Sequence, residues 1–260
     1  MEKATRNVAL LIDADNASAA TIDPVLTVLA ELGTVNVRRV YGNWSKPALK
    51  GWRDMSIRHG IEPQQQFDLT KGKNATDMKM TIDAMDLLAR GRVEGFGIMS
   101  SDSDFMPLAM RIRQDGIPVY GFGTSRTPEG FRQACTRFID VGALVGRIEE
   151  PDGGDVIAPK TTTTIKDTLP PAIGSRAAAA KPRKQQVSDD VVKLLSDAFD
   201  AVKHDKQGFA SLSALGQHAG NRSSFDTRNY GYSRLSDLVE DMPSFQVERR
   251  DAGVFVKLLR

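Results

Sequence analysis

Short apolar runs alternate with stretches of helical period through the first half of the chain. Val8-Ala9-Leu10-Leu11-Ile12 is almost continuously apolar, as a strand covered on both faces must be, and it ends in Asp13-Ala14-Asp15-Asn16. Ile22, Val25, Leu26, Leu29 and Leu32 then recur at helical spacing until Gly33 stops them. The same reading predicts strands at Val35–Tyr41, Ile61–Phe67, Phe96–Met99 and Gly116–Gly123, with helices at Lys46–His59, Asp77–Arg90 and Phe105–Gln114 between them. A helix at Pro128–Ala134 and a short run, Arg137–Val141, complete the unit. Strands alternating with helices at this spacing predict an α/β fold: a Rossmann-like parallel sheet with helices on both faces.

The polar residues that interrupt this pattern carry the chemistry. The strand at Phe96 stops at Ser100-Ser101-Asp102-Ser103-Asp104, just before a helical period resumes. One helix cap uses one side chain, so an Asp-x-Asp leaves an acid over. The first strand also ends in Asp-x-Asp, and neighbouring strands at the switch point of a doubly wound sheet bring such ends together. Asp77, in the first turn of the helix before the Phe96 strand, can face the same crevice. Asp13, Asp77, Asp102 and Asp104 are therefore candidates to converge. Such acids repel one another unless a hard cation takes their oxygens, so the pattern points to Mg²⁺ or Mn²⁺. Asp83 and Asp86 match Lys79 and Arg90 at i,i+4 spacing; a solvated face explains Asp86, and Asp83 stays open between ion pair and site.

Ile12–Asn16, Lys71–Asp77 and Ser101–Phe105 together resemble the NYN domain of the LabA-like group, a branch of the PIN-like nucleases. The resemblance covers roughly the first half of the chain. It implies a PIN-like, metal-dependent ribonuclease fold in which Asp13, Asp77, Asp102 and Asp104 hold the ion. Asn16 would fix the first-strand turn or a water, with Asp15, Asp83, Ser101 and Ser103 in support. Hydrolysis of an RNA phosphodiester by activated water is the activity this implies.

Charge adds a substrate side. Arg38 to Lys73 holds eight bases against three acids, whereas residues 1–150 balance at nineteen of each sign. Both tryptophans and Tyr41 lie in that segment. Cations interleaved with aromatics suit unpaired bases and phosphates. Arg38, Arg39, Tyr41, Trp44, Lys46, Lys71 and Lys73 are thus the expected RNA contacts, with simple core packing the competing account for Trp52.

From Glu149 the composition changes. Pro151-Asp152-Gly153-Gly154, the Thr161–Thr164 run and Ala177–Ala180 offer almost no core residues, so 151–186 reads as a flexible linker. A second unit, 187–260, opens with Val191, Val192, Leu195, Phe199 and Val202 on one helical face, and closes with two alternating strands turning at Asp251-Ala252-Gly253. Helices followed by a hairpin predict a small winged-helix-like α+β domain. Ser211–Gly216, Phe225-Asp226 and Asn229–Leu235 resemble the OST-HTH, or LOTUS, domain, which implies RNA or protein binding. Ten bases against eleven acids in 187–260 leave no broad electrostatic footprint, so recognition there would fall to Arg222, Arg228, Tyr230 and Arg234.

The remaining composition narrows the classes. Cys135 is the only cysteine, which excludes an internal disulfide, and with no signal-peptide profile predicts a cytoplasmic protein. His59, His204 and His218 have no zinc spacing. A phosphatase of the haloacid dehalogenase type shares the Asp-x-Asp strand end but wants Thr or Val where Asn16 and Ala17 stand. A P-loop enzyme lacks its Gly-Lys-Ser/Thr. A catalytically inactive RNA-binding adaptor is the principal alternative to the nuclease.

Overall fold

A computed structural model describes residues 6–67, 75–148 and 187–259, the last three residues of the middle segment by backbone alone. The predicted linker, 151–186, lies outside the described residues, as do Lys71 and Lys73.

Six parallel strands make the first unit: β1 (Asn7–Asp13), β2 (Thr34–Gly42), β3 (Glu62–Gln65), β4 (Gly95–Met99), β5 (Val119–Gly123) and β6 (Arg137–Asp140). Their spatial order is β3-β2-β1-β4-β5-β6. The order reverses between β1 and β4, so the crevice that ligands use in such sheets opens at the carboxyl ends of those two strands. Helices α1 (Ile22–Leu32), α2 (Lys50–His59) and α6 (Val141–Ile148) cover one face. Helices α3 (Ala75–Ala89), α4 (Met106–Gln114) and α5 (Glu129–Ala134) cover the other.

Strand alternation explains which residues reach the crevice. Val8, Leu10 and Ile12 pack toward α1, while Ala9 and Leu11 pack toward α3. Asp13 continues the second series. In β2 the pairing with β1 skips Asn36, since Val8 lies beside Val35 but Ala9 beside Val37. That bulge shifts the phase by one residue. It sends Val37, Arg39 and Tyr41 to the α3 side, with Tyr41 beside Asp13, and Arg38 and Val40 to the α1 side.

Several element limits differ from the sequence pattern. The third strand is only Glu62–Gln65, because it is a polar edge strand containing Pro63. The second predicted helix starts as a 3-10 turn at Pro47–Leu49 before α2. The run at Arg137 divides into β6 and the helix α6, which period alone did not separate.

The second unit contains α7 (Asp189–Ala201), α8 (Leu212–Arg222) and α9 (Leu235–Glu240) against an antiparallel sheet of β7 (Ala210–Ser211), β8 (Phe245–Arg250) and β9 (Gly253–Leu258), ordered β7-β9-β8. Leu195, Leu215, Leu238 and Val256, each fully buried, centre its core. This winged-helix-like unit touches the first along the outer edge of β6. Asn229 accepts from the Asp140 amide (2.8 Å) and donates to the Phe138 carbonyl (2.7 Å). The Phe138 amide donates to the Ser224 carbonyl at 3.1 Å. Arg228 reaches Glu31 of α1 while also holding the buried Asp226. An edge strand that would otherwise present unpaired backbone groups is thereby covered.

Candidate metal centre and nucleic-acid interface

Asp102 and Asp104 leave β4 through a short polar turn. The Asp102 side chain accepts from the Asp104 amide (2.9 Å) and caps the 3-10 turn Ser103–Phe105. Asp77 projects from the first turn of α3. One oxygen from each of Asp77, Asp102 and Asp104 lies within 4.8 Å of the others. Asp102 is thus both a cap and a member of the cluster, two roles that the sequence set against each other.

Asp13 stands behind this trio, fully buried. It accepts from Ser100 Oγ (2.7 Å), Asn16 Nδ2 (2.9 Å) and the Asp15 amide (3.2 Å). Burial pushes its pKa up, and those hydrogen bonds pull against the rise. Ser100 is the residue that sequence reasoning missed. Its hydroxyl also accepts from the Asp102 amide at 3.0 Å, tying the ends of β1 and β4 together. A signal existed: once Ile12 pairs with Met99, the next residue of β4 must meet Asp13. Ser101, proposed for that supporting role, instead accepts from the Thr124 amide (3.0 Å), and Ser103 is exposed.

The electrostatics of the trio fit a hard divalent cation. Burial, then the charges of Asp13, Asp102, Asp104 and Asp15, raise the Asp77 pKa from 3.8 to about 6. An all-oxygen donor set of carboxylates that repel one another in this way could hold a hard divalent cation. Asp83 sits apart. It is buried, with Lys79 at 3.0 Å, Tyr41 Oη at 3.1 Å and Arg39 at 3.4 Å. These contacts tie α3 to β2, and they include the i,i+4 partner Lys79.

That network removes part of the expected RNA surface. Tyr41 is fully buried, and burial together with the Asp83 carboxylate raises its phenol pKa; it has no face on which a base could stack. Arg39 also pairs with Glu62 at 3.0 Å. Arg38 donates to the carbonyls of Val35 (3.0 Å) and His59 (2.7 Å). These three residues hold β2 to its neighbours, and the β2 bulge is what points them inward. Trp52 is core, 2% exposed. Trp44 stays half-buried and Lys46 bridges to Asp15 at 3.2 Å, so both remain at the carboxyl edge. In the second unit, Arg222 pairs with Asp197, Arg228 is turned into the contact with α1, and Tyr230 stacks on Phe225 at 6.0 Å between ring centres. Arg234 is exposed at the start of α9.

Comparison with known proteins adds family and relatives. A family model described as NYN domain matches residues 7–145, and one described as OST-HTH/LOTUS domain matches 182–256. An uncharacterized protein of Methanocaldococcus jannaschii is 26% identical over 148 residues, which span 55% of this chain and 57% of that protein. A crystal structure of a protein of unknown function from Vibrio parahaemolyticus superposes with a TM-score of 0.45 at 18% identity, covering 54% of this chain and 95% of that one.

Proposed function

Because the chain belongs to the NYN family and carries an OST-HTH/LOTUS domain, we propose that it is a divalent-metal-dependent endoribonuclease acting on single-stranded RNA. The NYN domain brings a nuclease-type fold and the LOTUS domain an RNA-binding class of module. The observation that carries the reading is the convergence of Asp77, Asp102 and Asp104 at the switch point of the sheet. These three would hold Mg²⁺ or Mn²⁺. When bound, the ion supplies charge neutralisation at the phosphate and a more acidic water.

The chain's own residues supply position. Asp102 is fixed by its contact with Ser100 and by the turn it caps. Asp13, held by Ser100 and Asn16, contributes a buried negative charge directly behind the trio. It raises the proton affinity of Asp77 and favours a cation in front of it. Asp13 is therefore proposed as a positioning and electrostatic group, with Asp77, Asp102 and Asp104 as the direct ligands. The LOTUS unit, seated on β6, would present RNA or a protein partner at a fixed side of the sheet. A role in the cytoplasm is proposed on composition alone, from the sparse use of cysteine.

The test uses labelled single-stranded RNA with Mn²⁺, with and without EDTA, for the parent and Asp102→Asn. Asn caps a turn about as well as Asp, so the variant should fold. Cleavage should require the metal and fall by at least about a hundredfold in the variant. Metal-independent cleavage, or a variant that cuts like the parent, refutes the metal site. RNA binding without any cleavage by the parent would favour the adaptor.

A further inference from the structure

Between α2 and the edge strand β3 lies an open groove of about 550 Å³, within the size range of small-molecule sites. Trp44, Leu49, Ile57 and Ile61 give it apolar walls, and Lys50 and Arg53 stand exposed at its rim. Lys46 is the third basic residue of the lining, and no acid takes part among the described residues. We infer that this groove takes an unpaired base of the RNA strand whose backbone crosses the acid cluster, with Lys50 and Arg53 on the adjoining phosphates. The inference rests on the ribonuclease reading and names the substrate subsite for it.

Four observations carry it. First, Ile57, 77% exposed, is not isolated: with Trp44, Leu49 and Ile61 it lines one apolar wall that is open to solvent, and contiguous apolar surface of this kind marks binding sites where a single exposed side chain does not. Second, the Ser56 hydroxyl and the Trp44 indole N–H, both shut off from solvent, have no hydrogen-bond partner among the described residues. Ser56 itself is only 8% exposed and lines the groove. Buried donors without acceptors are uncommon; a small rotation of either side chain on binding would turn its donor to the carbonyl and ring-nitrogen acceptors of a base edge. Third, an apolar slot with an all-cationic rim complements a nucleotide, whose base is flat and apolar-faced and whose phosphate is anionic. Fourth, Lys46 joins the groove to the acid site. It lines the groove and reaches Asp15, whose amide donates to Asp13. One strand can therefore engage both places.

RNA affinity is measured by fluorescence anisotropy on the full chain in EDTA, where binding is read without cutting. Ile57→Glu places an anion on an already exposed wall, and Lys50→Ala/Arg53→Ala removes the rim charges. Each should weaken binding by about tenfold or more, and the double variant should also flatten the salt dependence. Met110→Glu, an equal charge change on α4 across the sheet, should bind like the parent. Adenosine monophosphate should quench the half-exposed Trp44, and ribose 5-phosphate should not; Trp52 is too buried to contribute. Folded Ile57→Glu and Lys50→Ala/Arg53→Ala proteins with parental affinity overturn the inference. So does Met110→Glu weakening RNA equally, or equal quenching by ribose 5-phosphate. The two readings fail separately. A parent that binds through the groove but cuts nothing with Mn²⁺ loses only the nuclease, and one that cuts while ignoring the groove variants loses only the subsite.

Discussion

Asp77→Asn is the perturbation that the geometry makes most quantitative. Asp77 ionises at about 6 in the folded protein against an ordinary 3.8, because it is desolvated and faces Asp13, Asp102, Asp104 and Asp15. The folded state thus holds this proton more tightly than the unfolded chain does. Stability without metal is greatest below pH ~4 as far as this group is concerned, and is lost as pH rises from ~4 through ~6. The full linkage is ~3 kcal/mol, which solvent screening of a half-buried group reduces to ~1–2 kcal/mol. Asn keeps the shape of the neutral acid and never ionises. At pH 7.5 in EDTA the variant should therefore be the more stable protein by ~1–2 kcal/mol, or ~3–6 °C in Tm. The gap should close toward pH 4. Adding Mn²⁺ should raise the parent's Tm and leave the variant's almost unchanged, because a ligand that binds the native state stabilises it by mass action. Thermal melts at several pH values, in EDTA and in Mn²⁺, read all of this. A variant that is less stable than the parent at pH 7.5 without metal, or that gains equally from Mn²⁺, would refute the repulsion argument.

Other outcomes follow from single contacts. Tyr41→Phe removes one of the donors to Asp83 and should cost ~1 kcal/mol in a denaturant melt, with RNA affinity unchanged; a loss of RNA binding in the folded variant would restore Tyr41 to the interface. Asn229→Ala removes two hydrogen bonds from the edge of β6 and should speed hydrogen exchange at the Asp140 amide while the β5 amides hold. Unchanged exchange there would mean that the two units do not rest together in solution.

Much of this protein was determined by its sequence in isolation. The apolar run Val8–Ile12 can be stable only as a strand buried on both sides, and the βα alternation after it leaves a parallel sheet as the way to cover such strands. Acids at the ends of β1 and β4, and one in the first turn of α3, were legible for the same reason: topology carries strand ends to one edge. The motifs around those acids and in the last seventy residues also sufficed to indicate the NYN and LOTUS families.

Tertiary structure decided which polar residues are free to act. Arg38, Arg39 and Tyr41 are basic or aromatic in a basic stretch, yet a one-residue bulge at Asn36 directs each to a partner distant in sequence: His59, Glu62 and Asp83. Ser100 rather than Ser101 supports Asp13, because register, not motif spacing, brings it within 2.7 Å. The groove beside α2 exists only where a helix and an edge strand diverge, and Asn229 meets β6 across 89 residues of chain. Local sequence fixes the period of a strand or helix, and thereby which residues share a face. What each face meets depends on distances between segments far apart in the chain, which only packing sets.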